Sequence, residues 1–453
     1  MRISLGVKTW QLVSRVFIPP VSPTAAVRWR ASQTRLYCSS LPEQEKPQPS
    51  MLRHLTSKIK ATGPISVAEY MREVLTNPVT GYYVRNNMLG PSGDFITSPE
   101  ISQIFGELLG VWIISEWMGA GRPKQLQLVE LGPGKGSLAS DVLRVFSQLQ
   151  SVFGEASVSL HLVEVSPALS ELQAQNLTGT CSQKADAADE PVYRSGKTAA
   201  GLPVSWYRRI DDVPSGFSII IAHEFFDALP IHKFQRTQKG WREVMVDIEP
   251  EKPDQLRLVV TPSPTLASST LVQADERRDH VEVCAEGGVI IQQLARRIAM
   301  DGGAALIADY GHDGTKTDTF RGFKGHQLHD VLVSPGSADL TADVDFSYLR
   351  TMAGGGVVSL GPVTQRTFLK NMGIDTRLQV LLRNCTDAST RKQLISSYDM
   401  LTNPEKMGER FHFFSLLHHS RLAKPQKPEG LRLEKKKQTA PLPVAGFTEL
   451  SFS

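Results

Sequence analysis

A glycine-rich turn at residues 129–138, Val-Glu-Leu-Gly-Pro-Gly-Lys-Gly-Ser-Leu, constrains the fold of this chain more than any other segment. An apolar run at 125–129 predicts a strand before it, and a helix is expected to begin near Ser137. Three glycines allow backbone conformations that side chains forbid and let a ligand approach closely: Gly132, Gly134 and Gly136. The segment predicts a ligand site, although an ordinary strand-to-helix turn would use the same residues.

The spacing of these glycines and the acid before them indicate the kind of ligand. The pattern is G-x-G-x-G, which differs from the dinucleotide fingerprint, and no Gly-Lys-Ser/Thr follows to make a phosphate-binding P-loop. Glu130 would repel a phosphate and favour a cationic amino-acid ligand such as S-adenosylmethionine. An NAD site stays open as an alternative, since the distinction rests on spacing and one charge.

Apolar runs alternate with helical patterns after this turn. Strands are predicted at 158–165, 217–222 and 304–308. A helix is predicted at 289–300. Alternation of this kind indicates an α/β fold with a doubly wound sheet, in which ligands bind at the carboxyl ends of the strands. Acids at four such ends are expected to share one crevice: Glu130, Glu164, Glu224 and Asp309.

The segment before the glycine turn, residues 43–120, is predicted to be mainly helical. Ser66-Val-Ala-Glu69 is a capping-box pattern that opens one helix. Ser98 can cap another, with a proline at its first position and an apolar stripe at 101–117.

The α/β domain is predicted to span 121–423, with two inserts. The first insert, at about 231–285, shows the alternation typical of a hairpin. The second insert, at about 312–350, is interpreted as a long irregular segment that can cover the site. The tail at 424–453 is rich in Lys and Pro and predicts a solvated linker, with a final edge strand at 444–452 left open.

The first 42 residues contain six basic residues and no acid, a composition typical of mitochondrial transit segments, although a basic arm that binds acidic surfaces is the alternative. The mature chain is expected to start near Cys38, in the mitochondrial matrix. Fifty Lys and Arg residues, less these six, leave 44 against 46 acids, a net charge of −2. A nucleic-acid surface is therefore not predicted. The apolar run at 13–21 is too short to predict stable membrane insertion.

Cysteine spacing bears on metals and redox compartment. The four cysteines lie far apart, with no CxxC pair, so neither a metal site nor a disulfide framework is predicted: Cys38, Cys181, Cys284 and Cys385.

The acids at the strand ends differ in the chemistry they allow. Glu164 can accept hydrogen bonds from both ribose hydroxyls of a nucleotide, although an exposed strand-end glutamate would look the same. Glu224 and Asp227 follow an apolar strand together with two phenylalanines. Carboxylates there can hold a guanidinium bidentately and orient its nitrogen for attack on a methyl group. Alternatively, these residues form the first turn of a helix, in which the two acids favour the helix amino end and the two phenylalanines belong to the core.

Three stretches together resemble the MidA-type S-adenosylmethionine-dependent methyltransferases: Gly93–Ser102 (GDFITSPEIS), Glu130–Gly136 (ELGPGKG) and Glu224–Pro230 (EFFDALP). The resemblance extends through Asp309–Gly311 and Ala338–Phe346, so it covers roughly residues 50 to 420. It implies a class I, Rossmann-like methyltransferase fold with a doubly wound sheet, an N-terminal helical region and inserted hairpin and loop elements. It also implies S-adenosyl-L-methionine as the cofactor.

The resemblance implies a role for each matching residue. The cofactor would be held by the glycine turn, the strand-end acids and a closing turn: Glu130, Gly132, Gly134, Gly136, Glu164, Ser98 and Glu100. Glu224 and Asp227 would face the arginine as the catalytic pair. Two positions depart from the family pattern: His223 stands where bacterial relatives commonly have Asn, and Asp343 stands where the pattern has His. A general base is therefore not assigned.

With the basic N-terminal segment, the chain resembles the mitochondrial members of this family. That resemblance implies a protein substrate, a core (49-kDa) subunit of respiratory complex I, with symmetric dimethylation of one arginine during assembly. Two other hypotheses remain: a non-catalytic assembly chaperone that binds S-adenosylmethionine as a structural ligand, and an NAD-dependent oxidoreductase.

Overall fold

The computed structural model describes residues 50–84, 97–179, 182–184, 190–422 and 443–448. The predicted transit segment lies outside these ranges. A mixed ten-stranded sheet forms the centre, and separate apolar clusters fill the space between each of its faces and the covering helices. This layering is what the alternating pattern predicts.

The helices follow one another in chain order: α1 (Met51–Thr62), α2 (Val67–Thr76), α3 (Ser98–Ile101), α4 (Gln103–Gly119), α5 (Ser137–Gln148), α6 (Gln150–Phe153), α7 (Pro167–Thr178), α8 (Leu266–Thr270), α9 (Ala285–Asp301), α10 (Phe346–Ala353), α11 (Gln365–Asn371), α12 (Ile374–Asn384) and α13 (Ala388–Thr402). Short helical turns occur at Tyr82–Val84, Ile210–Asp212, Gly354–Gly356, Pro404–Gly408 and His419–Arg421.

The strands are β1 (Ile65–Ser66), β2 (Gln125–Leu131), β3 (Ser157–Val163), β4 (Ser182–Lys184), β5 (Val192–Lys197), β6 (Pro203–Tyr207), β7 (Ser218–His223), β8 (His232–Thr237), β9 (Gly240–Glu249), β10 (Lys252–Val260), β11 (His280–Val283), β12 (Gly303–His312), β13 (Arg321–Lys324), β14 (Gln327–His329), β15 (Asp339–Thr341), β16 (Val344–Asp345), β17 (Val358–Thr364) and β18 (Phe411–Leu417).

The order of the central sheet is β17-β18-β12-β7-β2-β3-β6-β5-β4, with β16 added beside β12. The five strands from β12 to β6 are mutually parallel, whereas β18 is antiparallel to β12. The chain runs outwards from β2 through β3 to β6 and then returns to the other side of β2 with β7. This reversal opens a crevice at the carboxyl ends of the strands, directly after the glycine turn. The predicted doubly wound α/β fold is confirmed.

Helix α4 carries the apolar stripe predicted at 101–117 into the core. Phe105, Trp112 and Trp117 are fully buried in the cluster that covers one sheet face. Because almost every side of α4 is buried, its amino end is fixed firmly next to the crevice. The expected helix at 289–300 is also present, within the longer α9.

The N-terminal region and the first insert form one unit. Strand β1 pairs with β9, and the hairpin expected in this insert is confirmed as β9 and β10. Side chains of α1 and α2 share an apolar cluster with Val246 of the insert and with Leu340 of the second insert. The three segments are therefore packed together beside the crevice.

The prediction that the second insert is irregular was wrong. Strands β14, β13 and β15 form a small antiparallel sheet, and β16 pairs with β12. These strands are two to four residues long. Such lengths are too short for a periodic pattern to stand out from a loop.

The final edge strand left open at 444–452 is not formed by the residues that the structure describes there. Positions 443–448 make a turn in which Val444 and Ala445 are buried, and 449–452 lie outside the described residues. Asn371 donates a hydrogen bond to the carbonyl of Gly446 at 3.0 Å and fixes the turn. On the side of β12 away from β7, the sheet continues with β18 and ends with β17.

The predicted cap at Ser98 was also placed one residue late. Thr97 precedes the first turn of α3, and its N–H donates to Oε2 of Glu100 at 3.4 Å. The chain then becomes extended at Ser102, whose side chain caps α4 instead. Ser98 is thereby turned into the structure and is fully buried.

Candidate active site

The glycine turn connects β2 to α5 through three left-handed residues. Gly132, Gly134 and Gly136 have φ of 61°, 54° and 80°. Side chains disfavour this region of backbone conformation, so the three glycines are needed for the turn itself. A Cβ on Gly132 would also lie 2.8 Å from Cδ2 of Phe225, so the turn packs tightly against the residue that follows Glu224.

Glu164 follows β3 at the carboxyl edge of the sheet and is nearly buried. Its Oε1 accepts from the N–H of Ser166 at 2.7 Å, and its Oε2 accepts from Nε2 of Gln173 at 3.0 Å. Burial raises the pKa of Glu164 to about 7, against the effect of these two donors. The carboxylate is thus held in a fixed orientation beside the glycine turn, and its ribose-binding role stays a prediction.

Gln173 is a site residue that the sequence analysis missed. Its Nε2 also donates to the carbonyl of Gly134 at 2.7 Å, and its Oε1 accepts from Nε1 of Trp206 at 3.0 Å. One fully buried amide therefore ties the glycine turn to Glu164. No local pattern marks it, because its three partners come from other elements of the fold.

Glu130 lies near the carboxyl end of β2 and is 6% exposed. Side chains alternate along a strand, so Glu130 shares with Leu128 the sheet face covered by α4 and α5. Burial raises the pKa of Glu130 to about 8. A cationic group brought next to it would favour the ionised form.

Glu224 and Asp227 lie in a turn that Asp309 holds from below. Oδ2 of Asp309 accepts from the N–H groups of Phe225, Phe226 and Asp227 at 3.2, 2.9 and 3.3 Å. Glu224 has φ of 48°, a costly conformation for a residue with a side chain. Asp309, expected among the crevice acids, therefore serves to build this turn, and β12 continues past it to His312.

The acids of this turn are poorly compensated. Burial raises the pKa of Glu224 well above its usual range, as do the neighbouring carboxylates of Asp227, Glu100 and Asp339; the N–H of Ser98 opposes them. Burial also raises the pKa of Asp227, against the opposing effects of a hydrogen bond from Oγ1 of Thr341 to Oδ2 at 2.8 Å and of the charge of Arg321. A cationic ligand would relieve this repulsion.

Ser98 and Glu100 lie between the two groups of acids. The N–H of Ser98 donates to Oε1 of Glu224 at 3.4 Å, while Oε1 of Glu100 lies 3.3 Å from Nζ of Lys135 in the glycine turn. Both residues therefore lie in the same crevice as Glu224 and the glycine turn, and their assignment to the cofactor stays a prediction. Their contacts show that α3 connects the glycine turn to Glu224.

The two positions that depart from the family pattern are also located. His223 ends β7 with its ring beside Phe105, and burial lowers its pKa to about 3. Asp343 is paired with Lys316 at 2.6 Å and with Arg321 at 2.7 Å. These cations, together with hydrogen bonds, hold the pKa of Asp343 below its usual value despite its burial, so it is an ion-pair partner in place of a base.

In the ranges covered by the structure, no helix is long and apolar enough to cross a membrane. Over the same ranges, His, Cys, Asp and Glu side chains form no group of three or more that could hold a metal ion.

Comparison with known proteins shows the family of the chain. Residues 108–363 match the model of a family described as "Putative S-adenosyl-L-methionine-dependent methyltransferase". The chain is 70% identical over 401 residues to "Protein arginine methyltransferase NDUFAF7, mitochondrial" of Danio rerio, covering 88% of this chain and 93% of the relative. It is 60% identical over 424 residues to the human protein of the same name, covering 94% and 95%.

A solved structure shares the fold. A Burkholderia thailandensis protein, described as a "likely methyl transferase" and bound to S-adenosyl-homocysteine, superposes with a TM-score of 0.67 at 24% identity, covering 81% of this chain and 92% of that one. At this identity the similarity concerns the fold alone.

Proposed function

We propose, from the premise that this chain belongs to the family of S-adenosyl-L-methionine-dependent methyltransferases, that it methylates an arginine side chain of a protein. The single observation that carries the choice of arginine is the buried, under-compensated pair of Glu224 and Asp227 beside the glycine turn. The names of the relatives support the same choice.

The residues of the crevice fit the cofactor. Gly132, Gly134 and Gly136 leave three positions of the turn without a side chain. Glu164 offers a fixed carboxylate for a ribose, and Glu130 lies where a cationic amino-acid part would be favoured. When bound, S-adenosylmethionine supplies a methyl group attached to a sulfonium, with a neutral thioether as the leaving group. The protein's task is then to position a nucleophile and to remove a proton.

Glu224 and Asp227 perform that task for a guanidinium. Paired carboxylates bind the planar donors of arginine bidentately, which fixes one nitrogen towards the glycine turn. As the carbon–nitrogen bond forms and the carbon–sulfur bond breaks, this nitrogen loses a proton, and a carboxylate of raised pKa is suited to accept it. Glu224 is the proposed acceptor, because burial and neighbouring carboxylates raise its pKa and the N–H of Ser98 holds its Oε1 at 3.4 Å.

We infer further that the client is a core (49-kDa) subunit of respiratory complex I in the mitochondrial matrix, and that the product is symmetric dimethylarginine. The motif resemblance and the basic, acid-free first 42 residues support this inference. The relatives carry "mitochondrial" in their names.

The test is mass spectrometry of that subunit from cells in which the natural protein is replaced by Glu224→Gln. We expect arginine methylation to be lost while the protein remains folded, because the substitution keeps the shape and removes the charge. Glu251→Gln, in an exposed turn, is the matched control and should leave methylation unchanged. Retained methylation in Glu224→Gln cells would contradict the proposal, and normal complex I assembly without methylation would favour the chaperone hypothesis.

A further inference from the structure

Tyr83 lies across the crevice and contacts both of its halves. Its carbonyl accepts from Oγ of Ser166 at 3.3 Å, and the N–H of Ser166 in turn holds Glu164. Its hydroxyl donates to Oδ1 of Asp339 at 3.0 Å on the opposite side. Burial and the carboxylate of Asp339 raise the pKa of Tyr83 well above its usual value, so the hydroxyl remains a donor.

Asp339 belongs to β15 of the second insert. Alternate residues of a strand share a face, so Asp339 and Thr341 project to the same side. Thr341 donates to Asp227 at 2.8 Å, which shows that this face is turned towards the acidic turn. Asp339 is also one of the carboxylates that raise the pKa of Glu224. Strand β15 therefore brings a third carboxylate to the crevice from the side opposite the turn.

Two buried polar atoms beside Glu224 indicate that a ligand completes this region. Nε2 of His223 lies 3.4 Å from Oε1 of Glu224, and it makes no hydrogen bond with the described residues. Oγ of Ser98 is likewise buried without a hydrogen-bond partner among them. Unsatisfied buried polar atoms are costly, and at a binding site a ligand can compensate for them.

We propose that Asp339 is a third carboxylate that contacts the guanidinium of the substrate arginine, and that Tyr83 is a positioning residue that holds Asp339 in place. This inference rests on the proposed function. A guanidinium has five N–H donors in a plane, and two carboxylates from one turn reach only one side of it. A carboxylate on the facing strand accepts from the other side. Because an ammonium cannot span both sides, the arrangement selects arginine over lysine.

The experiment is calorimetric titration of the full-length protein, loaded with S-adenosyl-homocysteine, with Nα-acetyl-arginine amide as the probe. We expect Asp339→Asn to weaken binding at least about tenfold, as for loss of a hydrogen bond to a charged group. Tyr83→Phe should weaken it about threefold. Asp313→Asn removes a carboxylate that pairs with Arg350 on the surface, and it should leave binding unchanged. The affinity for S-adenosyl-homocysteine should stay within about twofold in every variant.

A pH series separates a contact from a merely structural role. The ionisable groups in electrostatic contact with Glu224 come from several elements: Asp227, Glu100, Asp339, His223, Tyr310 and Asp309. Asp339→Asn removes one negative charge from this set, so Glu224 should ionise at a lower pH. The pH midpoint of probe binding should therefore shift downwards in Asp339→Asn, although binding at high pH is weaker. A variant that only loosened the fold would not move the midpoint in this direction.

Each outcome has one meaning. Equal affinity of the wild type and Asp339→Asn for the probe would overturn the role of Asp339 and leave the methyltransferase function intact. Equal affinity of the probe and the corresponding lysine amide for the wild type would overturn the selectivity argument. If the wild type did not bind the probe, the proposal that a guanidinium binds in this crevice would be overturned. Failure of the proposed function itself would appear separately, as retained methylation in Glu224→Gln cells.

Discussion

The crevice has two halves, the proposed cofactor side and the proposed substrate side, and each contains a buried acid. The two acids differ in the hydrogen bonds and charges that surround them. On the cofactor side, Glu164 already accepts two hydrogen bonds, and Gln173 locks it to the glycine turn. On the substrate side, Glu224 is surrounded mainly by other acids and receives one long hydrogen bond from Ser98. Glu164 is therefore oriented without a ligand, although Glu130 in the same half is buried with a raised pKa. On the substrate side, Arg321, whose charge acts on Asp227, is already paired with Asp343 at 2.7 Å, so this half favours a cationic ligand and supports the proposal of an arginine substrate.

The largest effect is expected from a substitution in the glycine turn on the proposed cofactor side. Gly134→Val should abolish binding of S-adenosyl-homocysteine, because φ of 54° strains a branched residue and its side chain would fill the ligand's path. Gly154→Val is the matched control: φ there is 58°, and a Cβ meets no atom within 4 Å. Calorimetry should show normal binding for Gly154→Val and none for Gly134→Val. Equal loss in both variants would mean that strain alone explains the effect.

The next largest effect is expected from a buried substitution that weakens the hydrogen bonds of the turn that carries Glu224 and Asp227. Asp309→Asn replaces an acceptor for three main-chain N–H groups by an amide oxygen of weaker charge. We expect the methyl-transfer rate to fall about a hundredfold and the free energy of unfolding to fall by about 1–3 kcal/mol. Cofactor affinity should be nearly unchanged. If cofactor binding fell as much as the rate, the two halves would not be independent.

A smaller effect is expected from Glu164→Gln. The amide keeps one acceptor and loses the charge, so affinity for S-adenosyl-homocysteine should fall about tenfold. The binding of an arginine probe to the loaded protein should not change. A dissociation constant equal to that of the wild type would show that Glu164 does not contact the cofactor.

The smallest effect is a pH dependence of the cofactor-free protein. Burial raises the pKa of Glu130 to about 8 from an unfolded value near 4.5. A raised pKa means that the folded state favours the protonated acid, so stability should fall as pH rises from about 5 to 8. Glu130→Gln should match the wild type near pH 5 and be the more stable protein at pH 8.5, by about 1–3 kcal/mol in urea unfolding. Identical curves for the two proteins would contradict the buried position of Glu130.

The elements that carry the crevice follow from the sequence because their patterns are local. Alternating apolar runs give β2, β3, β7 and β12, and the glycine spacing fixes the turn to α5. Glu164 and Glu224 could be proposed because each directly follows a recognisable strand, and Asp227 could be proposed because it lies in the same short motif as Glu224.

The residues that connect the parts of the crevice could not be found in this way. Gln173 contacts the glycine turn, Glu164 and Trp206, which lie between nine and 39 residues away in the chain. Tyr83 and its partner Asp339 are separated by 256 residues. Asp309 was predicted to be a crevice acid. Its role as an acceptor for three main-chain N–H groups depends on the position of the turn at 225–227, which comes from another segment of the chain. Contacts of this kind arise only when the strands assemble.

The most direct test of the account is a crystal structure of the protein with S-adenosyl-homocysteine and Nα-acetyl-arginine amide bound together. We predict that the guanidinium lies against the carboxylates of Glu224 and Asp227, with the thioether sulfur beside the glycine turn and next to one guanidinium nitrogen. A guanidinium bound outside the crevice, or a cofactor that leaves the turn at Gly132 to Gly136 uncovered, would contradict the central claim.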